Sequence, residues 1–156
     1  MKNWTNLHNH TVFSMLDGHG DVEKYLERAK SLGMTGLATT DHGNIHSWLD
    51  FYDAGKSVGV KPILGSEFYQ ARKTRFDRDE EERSGPAKNE WEQRGPYHIT
   101  ILAKNNVGYN KLDIIVKFEV LNNCNSCPFF LAWKCFNYLS VCCHLIMPKS
   151  VSRLSC

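Results

Sequence analysis

The stretch from Val22 to Gly65, VEKYLERAKSLGMTGLATTDHGNIHSWLDFYDAGKSVGVKPILG, decides the architecture. Val22, Tyr25, Leu26, Ala29 and Leu32 recur at helical spacing and predict one amphipathic helix. Asp21 is placed to cap its start and Gly33 to close it. Leu37–Thr40 predicts a short strand. Ile45, Trp48, Leu49 and Tyr52 share one face of a second predicted helix, with Asn44 as its cap and Gly59 as its stop. Pro62–Gly65 predicts the next strand. Helix and strand thus alternate with short connections, the pattern of βαβ units in a parallel sheet or barrel.

Outward from that frame, Trp4–Leu7 reads as a preceding strand, Tyr97–Ala103 alternates as a fourth, and Val107–Val116 begins a third helix. Between them, residues 71–95 are strongly polar and carry the dipeptide Gly85-Pro86, which predicts a long exposed loop or insertion. Its mixed charges read as a solvated face. From Lys117 the text changes. All six cysteines lie from Cys124 onward, 129–147 is apolar without a period of 2 or 3.6, and acids nearly vanish. The expected division is therefore a domain over 1–116 and a Cys-rich apolar tail over 117–156. The favoured reading of that tail is a truncation, frameshift or junction product. A zinc module on Cys124, Cys127, Cys142, Cys143 and His144, or a membrane anchor across 129–147, are the lesser readings.

Composition is that of a soluble globular protein, with 42% hydrophobic and 23% charged residues. A net charge of +2 makes no electrostatic case for a nucleic-acid partner. Lys2 is followed by no apolar run, so no secretory signal is expected and the cytoplasm is the default. Walker, Gly-x-Ser-x-Gly and His-Glu-x-x-His patterns are absent.

The chemistry-bearing residues cluster at predicted strand ends. His8 and His10 follow the first strand, one residue apart, so both rings point to the same side of extended backbone. Asp17 lies in the next turn, Asp41 and His42 end the second strand, and Glu67 follows the third. Residues just past the ends of parallel barrel strands converge on one face. Mixed imidazole and carboxylate donors suit zinc, manganese or iron, and several carboxylates favour a multi-metal site that hydrolyses phosphoesters. His98 fits that geometry less well, because it opens its strand rather than ending it. His19 and His46 read as non-ligands.

Four segments, LHNHTVFSMLDG (7–18), GLATTDHGN (36–44), KPILGSEFY (61–69) and PYHITILAKNNVGYNKL (96–112), resemble the PHP (polymerase and histidinol phosphatase) domain in order and spacing. The resemblance is nearest to the branch in bacterial DNA polymerase III alpha subunits. It implies an α/β fold, an incomplete distorted β/α barrel with about four of seven strands. It carries the family's ligands onto His8, His10, Asp17, His42, Glu67 and His98, with Asp41 as their support and part of the catalytic set. It also implies two or three divalent metals (Zn or Mn, with Fe or Mg as alternatives) in a complete domain, and a metal-dependent 3′–5′ exonuclease or phosphoesterase site. DNA and other replisome subunits are the partners it implies, and no membrane. The family's later ligands, including an Asp-x-His, have no counterpart after His98, and the polymerase palm is absent. Two other functions compete with this one: a stand-alone phosphoesterase for a small phosphomonoester, and a non-catalytic structural fragment.

Four strands of seven leave a sheet edge and an apolar face open. The expectation is a chain that is poorly stable alone and aggregates. Thermal unfolding with light scattering checks this; a cooperative transition in a monomeric sample contradicts it.

Overall fold

The computed structural model of the chain describes residues 4–70, 97–121 and 143–146. In chain order they form α1 (Val22–Ser31), β1 (Gly36–His42), α2 (Trp48–Val58), β2 (Lys61–Gln70), β3 (Tyr97–Ala103), α3 (Asn106–Leu121) and β4 (Cys143–Ile146). The expected loop over 71–95 and the Cys124 and Cys127 positions lie outside the described residues, as does most of 129–147. Among the described residues no helix is long and apolar enough to cross a membrane.

The alternation of helix and strand is present as the sequence implies. Asp21 caps α1, its carboxylate accepting the Glu23 amide at 3.0 Å. Gly59, at φ 81°, ends α2 in the left-handed region that an L side chain avoids. The second helix differs from expectation at its other end. It begins at Trp48, and Asn44 is not its cap: the Asn44 amide donates to the carbonyls of Phe13 and His42, and its oxygen accepts the His46 amide. With that start, Trp48, Phe51 and Gly55 form the buried face, while Leu49 and Tyr52 are turned outward.

The segment from Trp4 to Leu7 is not a strand either. It touches β1 through a single parallel bridge, Asn6 to Leu37. Beyond it the Thr40 N–H still donates to the Asn9 carbonyl, but side chains accept the entry segment's own amides. The Asn6 oxygen accepts the His8 amide, and the Thr40 hydroxyl oxygen accepts the Asn9 amide at 2.8 Å.

The sheet has the order β1-β2-β3-β4. β1 and β2 are parallel, but β3 runs antiparallel to β2, and β4 antiparallel to β3. This corrects the expectation of an all-parallel sheet, and it removes the difficulty over His98. In the register, His42 lies opposite Glu67 and His98 opposite Tyr69. The start of a reversed β3 therefore sits beside the far ends of β1 and β2. α3 runs without a break across the expected boundary at 116, and β4 adds an edge strand from within 117–156.

Two cores hold these elements. Val22, Leu26, Ala29, Leu37, Phe51 and Val60 join α1, β1 and α2. Trp48, Phe68, Ile99, Ile101, Leu112 and Val116 join α2, β2, β3 and α3. Trp48 is the hinge of the second core. Its ring packs 4.9 Å from that of Tyr109, and its indole N–H donates to the Gly65 carbonyl at 2.8 Å. Trp48→Ala removes a buried aromatic and the indole hydrogen bond to that carbonyl. The expected loss is about 3–5 kcal/mol, read as a lower urea midpoint. An unchanged midpoint would mean that α2 is not anchored through this ring.

Candidate metal centre

The site is assembled at the end of the sheet where β1 and β2 finish and β3 begins. His8 and His10 alternate along the entry segment, and their Nε2 atoms approach to 3.1 Å. The chain then folds into a tight turn. Ser14 N–H donates to the Thr11 carbonyl, and Asp17 and Gly18 N–H both donate to the Ser14 carbonyl. Gly18 is packed so closely on Thr11 that a Cβ would fall 1.7 Å from its carbonyl oxygen. This turn brings Asp17 back beside His10 and His42.

Glu67 is the centre of the cluster and is 1% exposed. Its Oε2 contacts His8 Nε2 and lies 3.5 Å from His10 Nε2. Its Oε1 lies 2.8 Å from His98 Nδ1 and 3.1 Å from His42 Nδ1. Neither ring aims an N–H along those lines, so Oε1 accepts no hydrogen bond. His42 Nε2 is 2.9 Å from Asp17 Oδ2, which is 3.9 Å from His10 Nε2. The His10 and His42 rings stack with centroids 4.2 Å apart. His8, His10, Asp17, His42, Glu67 and His98 are thus brought together.

Asp41 sits beneath this cluster rather than within it. Its buried carboxylate accepts the Thr11 amide at 2.6 Å and the hydroxyls of Thr11, Ser14, Thr39 and Ser47. Spending the Ser14 proton on Asp41 has a consequence for His10. The Ser14 oxygen lies 3.1 Å from His10 Nδ1 and can then only accept from it. His10 therefore carries its proton on Nδ1 and turns the Nε2 lone pair toward His8 and Glu67. Burial holds the His10 pKa below its usual 6.5, helped by repulsion from His42 and His8 against the pull of Glu67 and Asp17. The hydrogen bond from His42 is the main cause that lowers the Asp17 pKa; desolvation opposes it, and the His10, His42 and His8 charges each add a lesser lowering.

The residues fit divalent metal. Lone pairs of imidazole nitrogens and of a buried carboxylate face one another with too few protons between them, and Oε1 of Glu67 is left without a donor. Two triads have ligand atoms mutually within 4.8 Å: His8, His10 and Glu67, and His10, Asp17 and His42. They share His10, which suits neighbouring ions. His19 is exposed, and the His46 ring meets Phe13 edge-on; neither joins a triad.

Several contributors are not evident from residue type alone. Thr11, Ser14, Thr39 and Ser47 have no metal-ligand chemistry and act through Asp41. Tyr69 alternates with Glu67 on β2, the one signal that would have placed it here, and its hydroxyl lies 3.2 Å from His42 Nδ1.

A family model described as the PHP domain matches residues 6–137. The chain is 36% identical over 112 residues to DNA polymerase III subunit alpha of Chlamydia pneumoniae, covering 72% of this chain and 8% of that protein. The corresponding protein of Treponema pallidum is 38% identical, covering 72% of this chain and 9% of its own length. That of Thermus aquaticus is 38% identical, covering 70% and 8%. The chain thus spans less than a tenth of the length of these curated relatives. Among solved structures, an amidohydrolase from Chromobacterium violaceum superposes with a TM-score of 0.46 at 21% identity, covering 63% of this chain and 27% of that one.

Asp41→Ala leaves the Thr11 amide and four hydroxyls without their shared acceptor. The expected outcome is a loss of at least about 3 kcal/mol in urea unfolding, with weakened metal uptake as the turn loosens. Uptake and stability equal to wild type would show that the turn holds without this carboxylate.

Proposed function

The chain belongs to the PHP domain family, and on that premise we propose that it is the PHP-domain portion of a DNA polymerase III alpha subunit whose site hydrolyses phosphodiesters with divalent metal. The observation that carries this reading is Glu67, a carboxylate 1% exposed yet bordered by four imidazoles, with one oxygen lacking any donor. A buried charge is kept only where something compensates it, and a cation does so here.

His8, His10, Asp17, His42, Glu67 and His98 would hold the ions. Zinc or manganese match the mixture of imidazole and carboxylate best, iron and magnesium less well, and the two triads make two ions the natural load. Bound there, such ions supply Lewis acidity toward a phosphate ester and its attacking water. The protein's own share is positional. Asp41, through Ser14, keeps the His10 Nε2 lone pair turned into the site. His8, Asp17 and His98 are about half exposed, so the ligand set opens to solvent on the side a substrate would enter.

The substrate in this reading is the 3′ end of DNA and the reaction exonucleolytic removal of a nucleotide; the similarity to DNA polymerase III alpha subunits supports it. DNA and the other replisome subunits are then its partners, and the cytoplasm its location.

The test compares wild type with His8→Ala/His10→Ala. Elemental analysis should find two or more divalent ions per wild-type chain and a large loss in the variant. A single-stranded oligonucleotide labelled at its 5′ end should be shortened from its 3′ end by wild type alone. Metal held equally by both forms would sink the assigned ligands. Turnover of a small phosphomonoester without action on DNA would move the reading to a stand-alone phosphoesterase.

A further inference from the structure

Tyr69 is a polar side chain at the centre to which the metal reading gives no role. It follows Glu67 by two positions on β2, so both side chains stand on the same face of the sheet. In the register it lies opposite His98, and its ring meets the His98 ring edge-on at 5.0 Å and 87°. Against His42 it lies nearly parallel, 13° between planes and 6.2 Å between centroids. Two imidazoles of the site therefore bear on this one ring, and its hydroxyl is 3.2 Å from Nδ1 of His42.

Proton counting shows what that hydroxyl does. His42 Nε2 is 2.9 Å from an Asp17 carboxylate oxygen, which can only accept, so in the metal-free protein Nε2 carries the proton. A neutral His42 then has a bare Nδ1, and the Tyr69 O–H donates to it. Loading an ion through Nε2 and Asp17 needs the Nε2 lone pair. His42 stays neutral only if the proton leaving Nε2 is matched by one arriving at Nδ1. That new N–H needs an acceptor. Glu67 Oε1 is at 3.1 Å but makes no hydrogen bond, whereas the Tyr69 oxygen already makes one, at 3.2 Å. A phenol hydroxyl can donate in the first state and accept in the second by turning about its C–O bond, which no carboxylate or amide carbonyl can do.

We propose that Tyr69 is a positioning residue that serves both tautomers of His42, donating to Nδ1 in the metal-free site and accepting from it in the loaded one. The inference rests on the metal reading of the same site. It is tested with Tyr69→Phe, which keeps the ring between His42 and His98 and removes only the hydroxyl. Zinc alone, titrated against a competing chelator, should bind the variant about 10- to 100-fold more weakly, the usual consequence of losing the partner behind a histidine ligand. The thermal midpoint of the metal-free variant should match wild type. Ring nitrogen NMR of wild type supplies a readout that needs no variant: the His42 proton should be on Nε2 without zinc and on Nδ1 with it. Equal zinc affinity in Tyr69→Phe, or an Nε2 that stays protonated in the loaded protein, overturns the proposal. A wild-type chain that binds no zinc overturns the metal reading, and this inference falls with it.

Discussion

A carboxylate shut away from water must be answered by donors, and in this protein the answer given to Asp41 organises everything around it. No cation stands beside it among the described residues. It is satisfied instead by a backbone amide and four hydroxyls, drawn from the entry turn (Thr11, Ser14), from β1 itself (Thr39) and from the residue that precedes α2 (Ser47). Because an unpaired buried charge is so costly, those groups can hardly drift apart while the chain is folded. The turn after His10 is thereby pinned to β1, and with it the distance from His10 and Asp17 to His42.

Glu67 is the opposite case, one strand away. It is as deeply buried as Asp41, yet its neighbours are imidazoles whose protons are few or point elsewhere. One acid is saturated and holds the scaffold, while the other is left short and defines the site. The contrast separates structural from chemical roles more clearly than residue type does, since both are acidic residues buried to the same degree in adjoining strands.

How much of this could be read from the letters depends on how local each cause is. The proposed ligand histidines and carboxylates stood out because most of them fall at or near predicted strand ends, and those follow from period and punctuation. The helix cap at Asp21 and the stop at Gly59 are equally local. What escaped was set by distant partners. Trp4–Leu7 has the letters of a strand, but the amides that follow it turn to the Asn6 and Thr40 side chains, and only β1 amides donate across. Leu49 and Tyr52 look as apolar as Phe51, and only the docking of Trp48 on the Gly65 carbonyl decides which face of α2 turns inward. The direction of β3 is invisible in its own alternation. His98 therefore looked misplaced until the pairing with β2 was known. The hydroxyls around Asp41 carry no signature, because Ser and Thr at such spacings are common in any turn.

The reversal of β3 also bears on how such a domain can vary over evolutionary time. Gln70 and Tyr97 are partners across the ladder, so the chain leaves the sheet and returns to it at one place. For any connection between two such fixed points, closure entropy rises only logarithmically, by about 0.6 kcal/mol for each doubling of length. Residues can accordingly be gained or lost between them at little thermodynamic expense, while the strand pairing and the ligands on either side keep their places. A parallel crossover at the same point would have allowed no such freedom, since its connection must span the sheet and pack against it. This junction, immediately next to His98, is thus a place where length can change without moving the pairing that holds the site.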